Sequence, residues 1–261
     1  MKKNFVKMKN LGYGSISILL FLAVWELASR YELVDASVIP PPSRVLQAVI
    51  QSAGSGELSA HTLISLRRTV TGFLISLITA LPLGFLLGTF FKTFEKALLP
   101  FLRMLEKLNP FALFPIFMIF FGIGDAEKIA IIFWVSQWPL LFNTIAGAKG
   151  VDPLMLKSAR SMGATRRTVF LKVILPSAVP DIFTGIKISA QISFFMIVAS
   201  ELAGAYEGLG WYYLSTGQSY QVPLMFGIII FITILSLIIN VLFSRIERHF
   251  LVWKESAFQE G

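Results

Sequence analysis

The sequence contains no cysteine, only two histidines and few charged residues, and these shortages exclude several kinds of chemistry. Without cysteine there are no disulfides, no thiolate metal sites and no cysteine nucleophile. Charged residues make up 15% of the chain, whereas they form about 25% of an average soluble protein. No glycine-rich phosphate loop followed by Lys-Ser or Lys-Thr occurs. We therefore expect no metal, no cofactor, no bound nucleotide and no catalytic residue in this chain.

Hydrophobic residues are abundant instead, at 55% of 261 residues with 24 phenylalanines. Soluble domains contain about 45–50% apolar residues, and several apolar runs here have the roughly 20-residue length that spans a bilayer as a helix. The sequence therefore predicts an all-α integral membrane protein, and a soluble helical protein is the weaker alternative. The net charge of +8 does not indicate nucleic acid, because many of the bases flank the apolar runs, where an orientation bias explains them.

Six membrane-spanning helices are predicted. In chain order they cover residues 11–28, 69–91, 98–121, 129–146, 178–203 and 224–243. The first could instead be a cleaved signal peptide, but its length and the spans that follow favour an uncleaved anchor. Asn109-Pro110 interrupts the third span, as neighbouring helices permit in membranes. Between the first two spans, Ser43 is expected to cap a short helix over 44–52.

The distribution of basic residues predicts the orientation of the spans. Four lysines precede the first span, and Asp152 is the only acid in the basic segment 149–172. Six spans place the N-terminus, the 92–97 turn, the 147–177 loop and the mixed-charge C-terminus on one side. By the positive-inside rule that side is the cytoplasm, as in a multi-pass protein of a bacterial-type inner membrane.

The polar segment that begins at Asp152 has the pattern of two short helices joined by glycine. Asp152 followed by proline is typical of an N-cap, Gly163 is typical of a C′ position, and Thr165 can cap a second helix. Leu154, Met155, Ala159 and Met162 share one face at helical spacing. These features fit either an amphipathic hairpin on anionic lipid or an element that docks on a partner.

The same segment resembles the EAA loop of ABC importer permeases. The family pattern is Glu-Ala-Ala, three residues, Gly, nine residues, then Ile-x-Leu-Pro. Ala159, Gly163, Leu175 and Pro176 match it, whereas Lys157 stands where the family usually has glutamate. Ser158 and Val173 also depart from the pattern.

Other short motifs are similar to those of the nitrate/sulfonate/taurine permease branch of this family. They are Pro40-Pro41-Pro42-Ser43, Gly72-Phe73, Pro82-Leu83-Gly84, Phe120-Phe121-Gly122-Ile123-Gly124, Glu201-Leu202-Ala203-Gly204-Ala205 and Gly208-Leu209-Gly210. The resemblance implies a methionine-importer-like transmembrane core that forms a homodimer with two ATPase subunits, which bind ATP and Mg, and an external binding protein. It implies one permease domain over 1–261, with an N-terminal helix and external segment at 1–60, a core at 61–250 and a cytoplasmic coupling loop at 149–177. The implied substrate is a small anion such as a sulfonate, taurine or nitrate, or alternatively a thiamine-precursor pyrimidine or another small heterocycle.

The resemblance also implies which residues contact the ATPase. They are Lys157, Ser158, Ala159, Arg160, Ser161, Met162, Gly163 and Ala164. In the family this helix sits in a groove of the ATPase subunit.

Polar residues within spans are candidates for the translocation pathway, which we expect between spans three, four and five of two protomers. The candidates are Asn109, Gln137, Asn143, Gln191, Ser193, Phe194 and Glu201. Each has a structural alternative: a kink partner for Asn109, packing for Phe194 and Phe195, and internal bonding for Glu201. Arg67 and Arg68 could attract an anion, but a role as flanking anchors is favoured.

Two other protein classes fit the sequence less well. A membrane enzyme is disfavoured because His61 and His249 are expected on opposite sides of the membrane and cannot share a metal or a dyad. A channel or secondary transporter without an ATPase would be expected to have a second helix break that matches Asn109-Pro110. No such break is evident.

Overall fold

The computed structural model of the protein describes residues 2–250, with side chains from Ile16 to Arg248 except Lys92. This part of the chain is almost entirely helical and contains no strand, which confirms the all-α prediction. The side chains of the N-terminal lysines and the tail beyond residue 250, both used in the orientation argument, lie outside the described residues, as does the side chain of His249.

The helices follow one another with short connections. In chain order they are α1 (Lys2–Arg30), α2 (Pro42–Ser55), α3 (Glu57–Phe85), α4 (Lys92–Glu106), α5 (Pro110–Phe121), α6 (Asp125–Lys149), α7 (Pro153–Ser161), α8 (Arg166–Val169), α9 (Leu175–Gly204), α10 (Leu209–Gln218) and α11 (Val222–Phe250). Two π-helical turns, Leu86–Phe90 and Phe170–Ile174, extend α3 and join α8 to α9.

Four helical segments of the described chain are long and apolar enough to cross a membrane. They are Glu57–Phe90, Asp125–Lys149, Arg166–Gly204 and Val222–Arg248. The last three contain the predicted fourth, fifth and sixth spans, and the first covers the predicted second span up to residue 90. The predicted third span is instead a pair of helices, Thr93–Glu106 and Pro110–Phe121, bent by 91°. The predicted first span lies within α1, whose side chains are described only in part, so the count of six remains a prediction.

One local prediction was wrong for an identifiable reason. Ser43 does not cap α2, because Pro41 occupies the N-cap position and Ser43 bonds Glu26 through its backbone N–H (3.0 Å) and hydroxyl (2.8 Å). Pro176 lies in the first turn of α9, directly after the π turn. A proline is tolerated in the first turn of a helix, because the N–H that it lacks would have no partner there.

The chain divides into two compact units. The first contains the residues up to His61 together with Tyr212–Ile232. Within it, the Tyr212 hydroxyl lies 2.7 Å from the Ser52 hydroxyl and donates to Glu57 at 3.0 Å. Burial raises the pKa of the Tyr212 phenol, because it disfavours the charged phenolate.

The second unit contains Thr62–Trp211 and the residues from Thr233 onward, and its main contact is between α6 and α9. Helices approach closely here because glycine removes the side chain at the crossing points. A Cβ on Gly185 would lie 2.9 Å from Asn143 Cβ, and one on Gly84 of α3 would lie 2.6 Å from Thr144 Cβ. Buried apolar side chains from α6 and its neighbours, among them Leu140 and Ile145, fill the core of this unit.

Candidate functional site

Helix α7 and the turn after it have the geometry that the sequence predicts. The Asp152 carboxylate accepts a hydrogen bond from Leu154 N–H at 2.7 Å, which caps the helix. At the other end Gly163 has φ 77°, Gly163 N–H donates to Arg160 C=O (3.0 Å) and Ala164 N–H donates to Ala159 C=O (3.1 Å). This pair of bonds is a Schellman motif, which turns the chain sharply at the glycine.

The four apolar residues that were predicted to share one face of α7 differ in burial. Ala159 is buried in a cluster with Ala148, Val151, Val169 and Ile174. Three large apolar side chains point away from that cluster and are exposed: Leu154 at 68%, Met155 at 56% and Met162 at 81%. The polar residues Lys157, Ser158, Arg160 and Ser161 are exposed beside them. Helix α7 is therefore held to the second unit by its small buried residue and presents a mixed apolar and basic surface.

The chain continues from this segment into a membrane-length helix without a break. Thr165 caps α8 by accepting from Thr168 N–H at 3.2 Å, and the Phe170–Ile174 turn then leads directly into α9. The helical run Arg166–Gly204 has 39 residues. The helical run that follows the Gly163 turn is therefore continuous to the end of α9.

At the opposite end of the second unit, one arginine holds three carboxylates. Arg68 is only 3% exposed, and its guanidinium lies 3.0 Å from Glu201 Oε1, 2.7 Å from Glu207 Oε1 and 2.6 Å from Asp125 Oδ1. It also donates to the Glu207 carbonyl at 2.9 Å. Arg67 pairs with Asp125 from the exposed side. These contacts tie α3, the start of α6 and the end of α9 together.

Glu201 is fully buried and its carboxylate is surrounded by donors. Ser65 Oγ lies 2.9 Å from both carboxylate oxygens, and Gly210 N–H donates to Oε2 at 2.9 Å. The structure therefore agrees with the structural alternative for Glu201, which is hydrogen bonding within the protein. The geometry leaves this carboxylate committed to internal partners.

A second buried ion pair lies at the same end of α6. Glu127 and Lys128 are 0% and 1% exposed, with Lys128 Nζ 3.0 Å from Glu127 Oε2. Lys128 also donates to the Gly204 carbonyl at 2.8 Å, which joins the start of α6 to the end of α9. Neither residue is among the candidates that the sequence analysis identified. The available signal was two adjacent opposite charges at the start of an apolar helix.

The remaining pathway candidates occupy varied positions. Asn109 caps α5 at the 91° bend by accepting from Phe111 N–H at 3.0 Å, which is the structural alternative foreseen for it. Asn143 donates to the Pro139 carbonyl (2.8 Å) and Ser193 to the Ser189 carbonyl (2.7 Å).

Gln191 and the two phenylalanines of α9 differ in what they contact. Gln191 bonds the Asn240 amide oxygen at 2.6 Å, and Gln137 is half-buried. Phe194 is 2% exposed and packs in the interior, whereas Phe195 is 63% exposed. The transport role of all these residues remains a prediction. Among the described side chains, no group of three or more His, Asp or Glu residues could hold a metal ion.

The described chain thus combines several helices of membrane-spanning length with a capped, exposed short helix before the longest of them, and its sequence places it in a class of transport subunits. Residues 80–251 match the family of binding-protein-dependent transport system inner membrane components. The chain therefore belongs to this family and is an ABC importer permease.

Curated relatives and a solved structure agree with this assignment. The nitrate import permease NrtB of Leptolyngbya laminosa is 30% identical over 236 residues, which cover 87% of this chain and 83% of that protein. The taurine transport system permease TauC of Escherichia coli is 29% identical over 248 residues, covering 93% and 89%. An inward-facing structure of the MetNI methionine ABC transporter has the same fold, with a TM-score of 0.66 at 18% identity over 76% of this chain and 98% of the matched chain.

Proposed function

We propose that this permease forms the translocation pathway for a small anion, such as a sulfonate, taurine or nitrate, in an ATP-driven importer. An external binding protein delivers the anion, and an ATPase subunit on the cytoplasmic side hydrolyses ATP. The substrate class is supported by the taurine and nitrate permeases among the relatives. The chain acts as a pathway and a mechanical coupler, while the partner supplies the ATP chemistry.

The observation that carries the proposal is the helical continuity from α8 into α9, which begins directly after the Gly163 turn that ends α7. Residues 157–164 present exposed Met162 and Arg160 beside the Gly163 turn, and a groove in an ATPase can bury such a mixed surface. Closure of two ATPases would pull the docked helices, and α8, the π turn and α9 would carry that movement into the membrane. Such a rigid-body switch lets one pathway open alternately to either side.

The antiparallel packing of α6 and α9 defines two ends of the second unit. Ser189 donates to the Ser136 carbonyl at 2.6 Å, and Lys128 at the start of α6 reaches Gly204 at the end of α9. Segment 149–175 therefore lies at one end of this pair and the Arg68 network at the other. We place the first end, with both termini, in the cytoplasm because of its basic charge.

The homodimer is supported by the exposed apolar surface of α5 and α9. Ile119 is 83% exposed, Phe120 76% and Phe195 63%, on the two helices that were expected to border the pathway. A second copy of the chain would cover part of this surface and close a pathway between two equivalent halves. The two copies would then dock two ATPase subunits.

Replacement of Gly163 by valine tests the coupling assignment. Gly163 has a left-handed backbone with open space around it, so valine would be strained by its conformation rather than by a clash. We expect G163V to abolish substrate uptake and substrate-stimulated ATP hydrolysis by the reconstituted transporter while the permease is still inserted. Gly163→Asn is the matched control, because asparagine tolerates this conformation, and it should retain most of both activities.

Two outcomes would contradict the coupling assignment. One is normal uptake by G163V at normal expression. The other is purification of the wild-type permease with no ATPase subunit and no ATP hydrolysis, which would favour a transporter that works without one. The ligand of the external binding protein encoded with this permease, measured directly, tests the substrate class separately.

A further inference from the structure

A cavity of about 530 Å³ lies beside the coupling segment of the second unit. It is bordered by the end of the α3 extension, the end of α7, and α8 with its π turn. Its lining residues are Thr89, Phe90, Arg160, Ala164, Arg166, Val169, Phe170 and Ile174. No acidic residue is among them.

Both π turns of the described chain meet at this cavity. Thr89 and Phe90 belong to the first turn, and Phe170 and Ile174 belong to the second. The Phe170 ring lies 6.0 Å from the Phe90 ring and 5.2 Å from the Phe85 ring. Irregular π turns are rare and frequently occur at functional sites. The presence of two of them beside one cavity therefore points to a functional site, independently of the charge of the lining residues.

The polar groups of the cavity are all suited to an anion. Arg160 and Arg166 are exposed, and neither has a carboxylate partner among the described residues, in contrast to Arg67 and Arg68. The Thr89 hydroxyl is buried and has no hydrogen-bond partner in this part of the chain. Thr89 also lines the cavity, so its unpaired hydroxyl lies beside the space that the two arginines border. Two guanidinium groups and a hydroxyl are donors that phosphate oxygens accept well.

We propose that this cavity binds a phosphate group, carried either by the headgroup of an anionic lipid or by a soluble phosphate compound. The inference rests on the proposed orientation, which places the cavity at the cytoplasmic surface. Anionic phospholipids are concentrated in that leaflet, and basic pockets between membrane helices bind their headgroups. The Phe90 and Phe170 rings provide an apolar wall next to the charged groups. The bound phosphate would join the end of α7 to the α3 extension and so hold the coupling segment in place.

Arg166→Gln tests the proposal, with Arg167→Gln as the matched control. Both arginines are exposed on α8, but only Arg166 lines the cavity, and neither belongs to segment 157–164. The full chain is purified and incorporated into bilayer nanodiscs of phosphatidylglycerol and phosphatidylcholine. Retention of each lipid is measured by native mass spectrometry on release into detergent, and inorganic phosphate is added as a competitor.

The expected result is selective retention of phosphatidylglycerol by the wild type, reduced roughly tenfold or more in R166Q and unchanged in Arg167→Gln, since one charge-assisted contact is lost. Loss of the retained lipid on addition of millimolar inorganic phosphate would identify a soluble phosphate compound as the occupant. Retention that resists phosphate would identify the lipid headgroup. If R166Q does not yield folded protein, Thr89→Val replaces it, with a smaller loss expected.

The proposal is overturned if R166Q and Arg167→Gln lose lipid and phosphate binding equally, or if neither changes binding. It is also overturned if R166Q leaves both ligands bound but weakens co-purification of the ATPase, because the cavity would then receive an acidic side chain of that partner. The binding assay uses neither transport nor ATP hydrolysis, so failure of the proposed importer function would appear separately.

Discussion

Arg68 pairs with most of the acidic groups at the end of the second unit opposite the Gly163 turn. Its guanidinium contacts three carboxylates and one carbonyl while almost wholly buried. Taking such charges out of water is costly, and their mutual contacts offset that cost only when every group is paired. Arg68 is therefore committed to the protein, and it is not available as a free cation for an arriving anion.

Replacement of Arg68 by glutamine should destabilise the protein strongly. It leaves the carboxylate of Glu201, which is fully buried, without its cation, a change that typically costs about 3–5 kcal/mol. Arg67→Gln, whose side chain is 62% exposed, should cost about 0–1 kcal/mol. Denaturation of the two purified variants in the same micelle is the measurement, and similar losses in both would contradict the assigned network.

A double variant separates the ion pair from general damage. If Glu201 is the main carboxylate left unpaired, Arg68→Gln with Glu201→Gln should recover part of the stability lost in Arg68→Gln alone.

Neutralising Arg67 alone should leave the affinity for the transported anion unchanged in uptake assays. A large fall in affinity without loss of stability would instead assign the exposed arginine to anion attraction.

Sequence reasoning found Arg68 and Glu201 but not their relation. Both were recognised as charges at span ends, yet 133 positions separate them in the chain. Local patterns carry no information on pairing across such a distance. The polarity of a span end could be predicted, whereas the partner of each charge depended on how α3, α6 and α9 pack.

At the scale of single helices, the predictions that succeeded concern helix ends. Asp152, Gly163 and Thr165 act as foreseen, because capping involves residues only two to five positions apart. The Schellman turn and the two caps are fixed by local hydrogen bonding. The π turns at Leu86–Phe90 and Phe170–Ile174 were not predicted from the sequence.

Helix packing at Gly84 provides a second test at this scale. A Cβ at this position would lie 2.6 Å from Thr144 Cβ, so Gly84→Ala should force α3 away from α6 and cost about 1–3 kcal/mol of stability. Gly54→Ala is the control, because nothing lies within 4 Å of its added Cβ, and alanine is the better helix former. The unfolding midpoint in detergent should therefore fall for Gly84→Ala, and it should stay the same or rise for Gly54→Ala.

A compensating change makes the packing test specific. Thr144→Gly would remove the opposing Cβ and should restore part of the stability lost in Gly84→Ala. If the double variant is no more stable than Gly84→Ala, close approach at this crossing does not explain the glycine.

At the scale of the whole molecule, the orientation of the second unit can be tested with single cysteines. The chain has no cysteine of its own, so each introduced thiol reports one position. Met162 is 81% exposed in the coupling segment and Tyr206 is 80% exposed near the Arg68 network. In cells that produce the permease without its ATPase, which would otherwise cover Met162, we expect a membrane-impermeant maleimide to label Tyr206→Cys in intact cells, and Met162→Cys only after the inner membrane is permeabilised.

The reverse labelling pattern would invert the proposed orientation and with it the cytoplasmic position of segment 157–164. Equal labelling of both variants in intact cells would show that the cells are leaky, and a cytoplasmic control protein in the same cells detects that condition. The matched exposure of the two residues means that a difference in labelling reports the side of the membrane.

The sequence by itself determined the membrane class, the helical character, most of the apolar segments and the local turn around Gly163, because hydrophobic length and capping are properties of neighbouring residues. Its motifs also indicated the family that residues 80–251 match. The tertiary structure decided which charges pair at Arg68, how closely α3 approaches α6 at Gly84, and that Arg160 and Arg166 border one cavity with Thr89. These contacts join residues far apart in the chain, and their energies depend on distance and burial that only the packed helices establish.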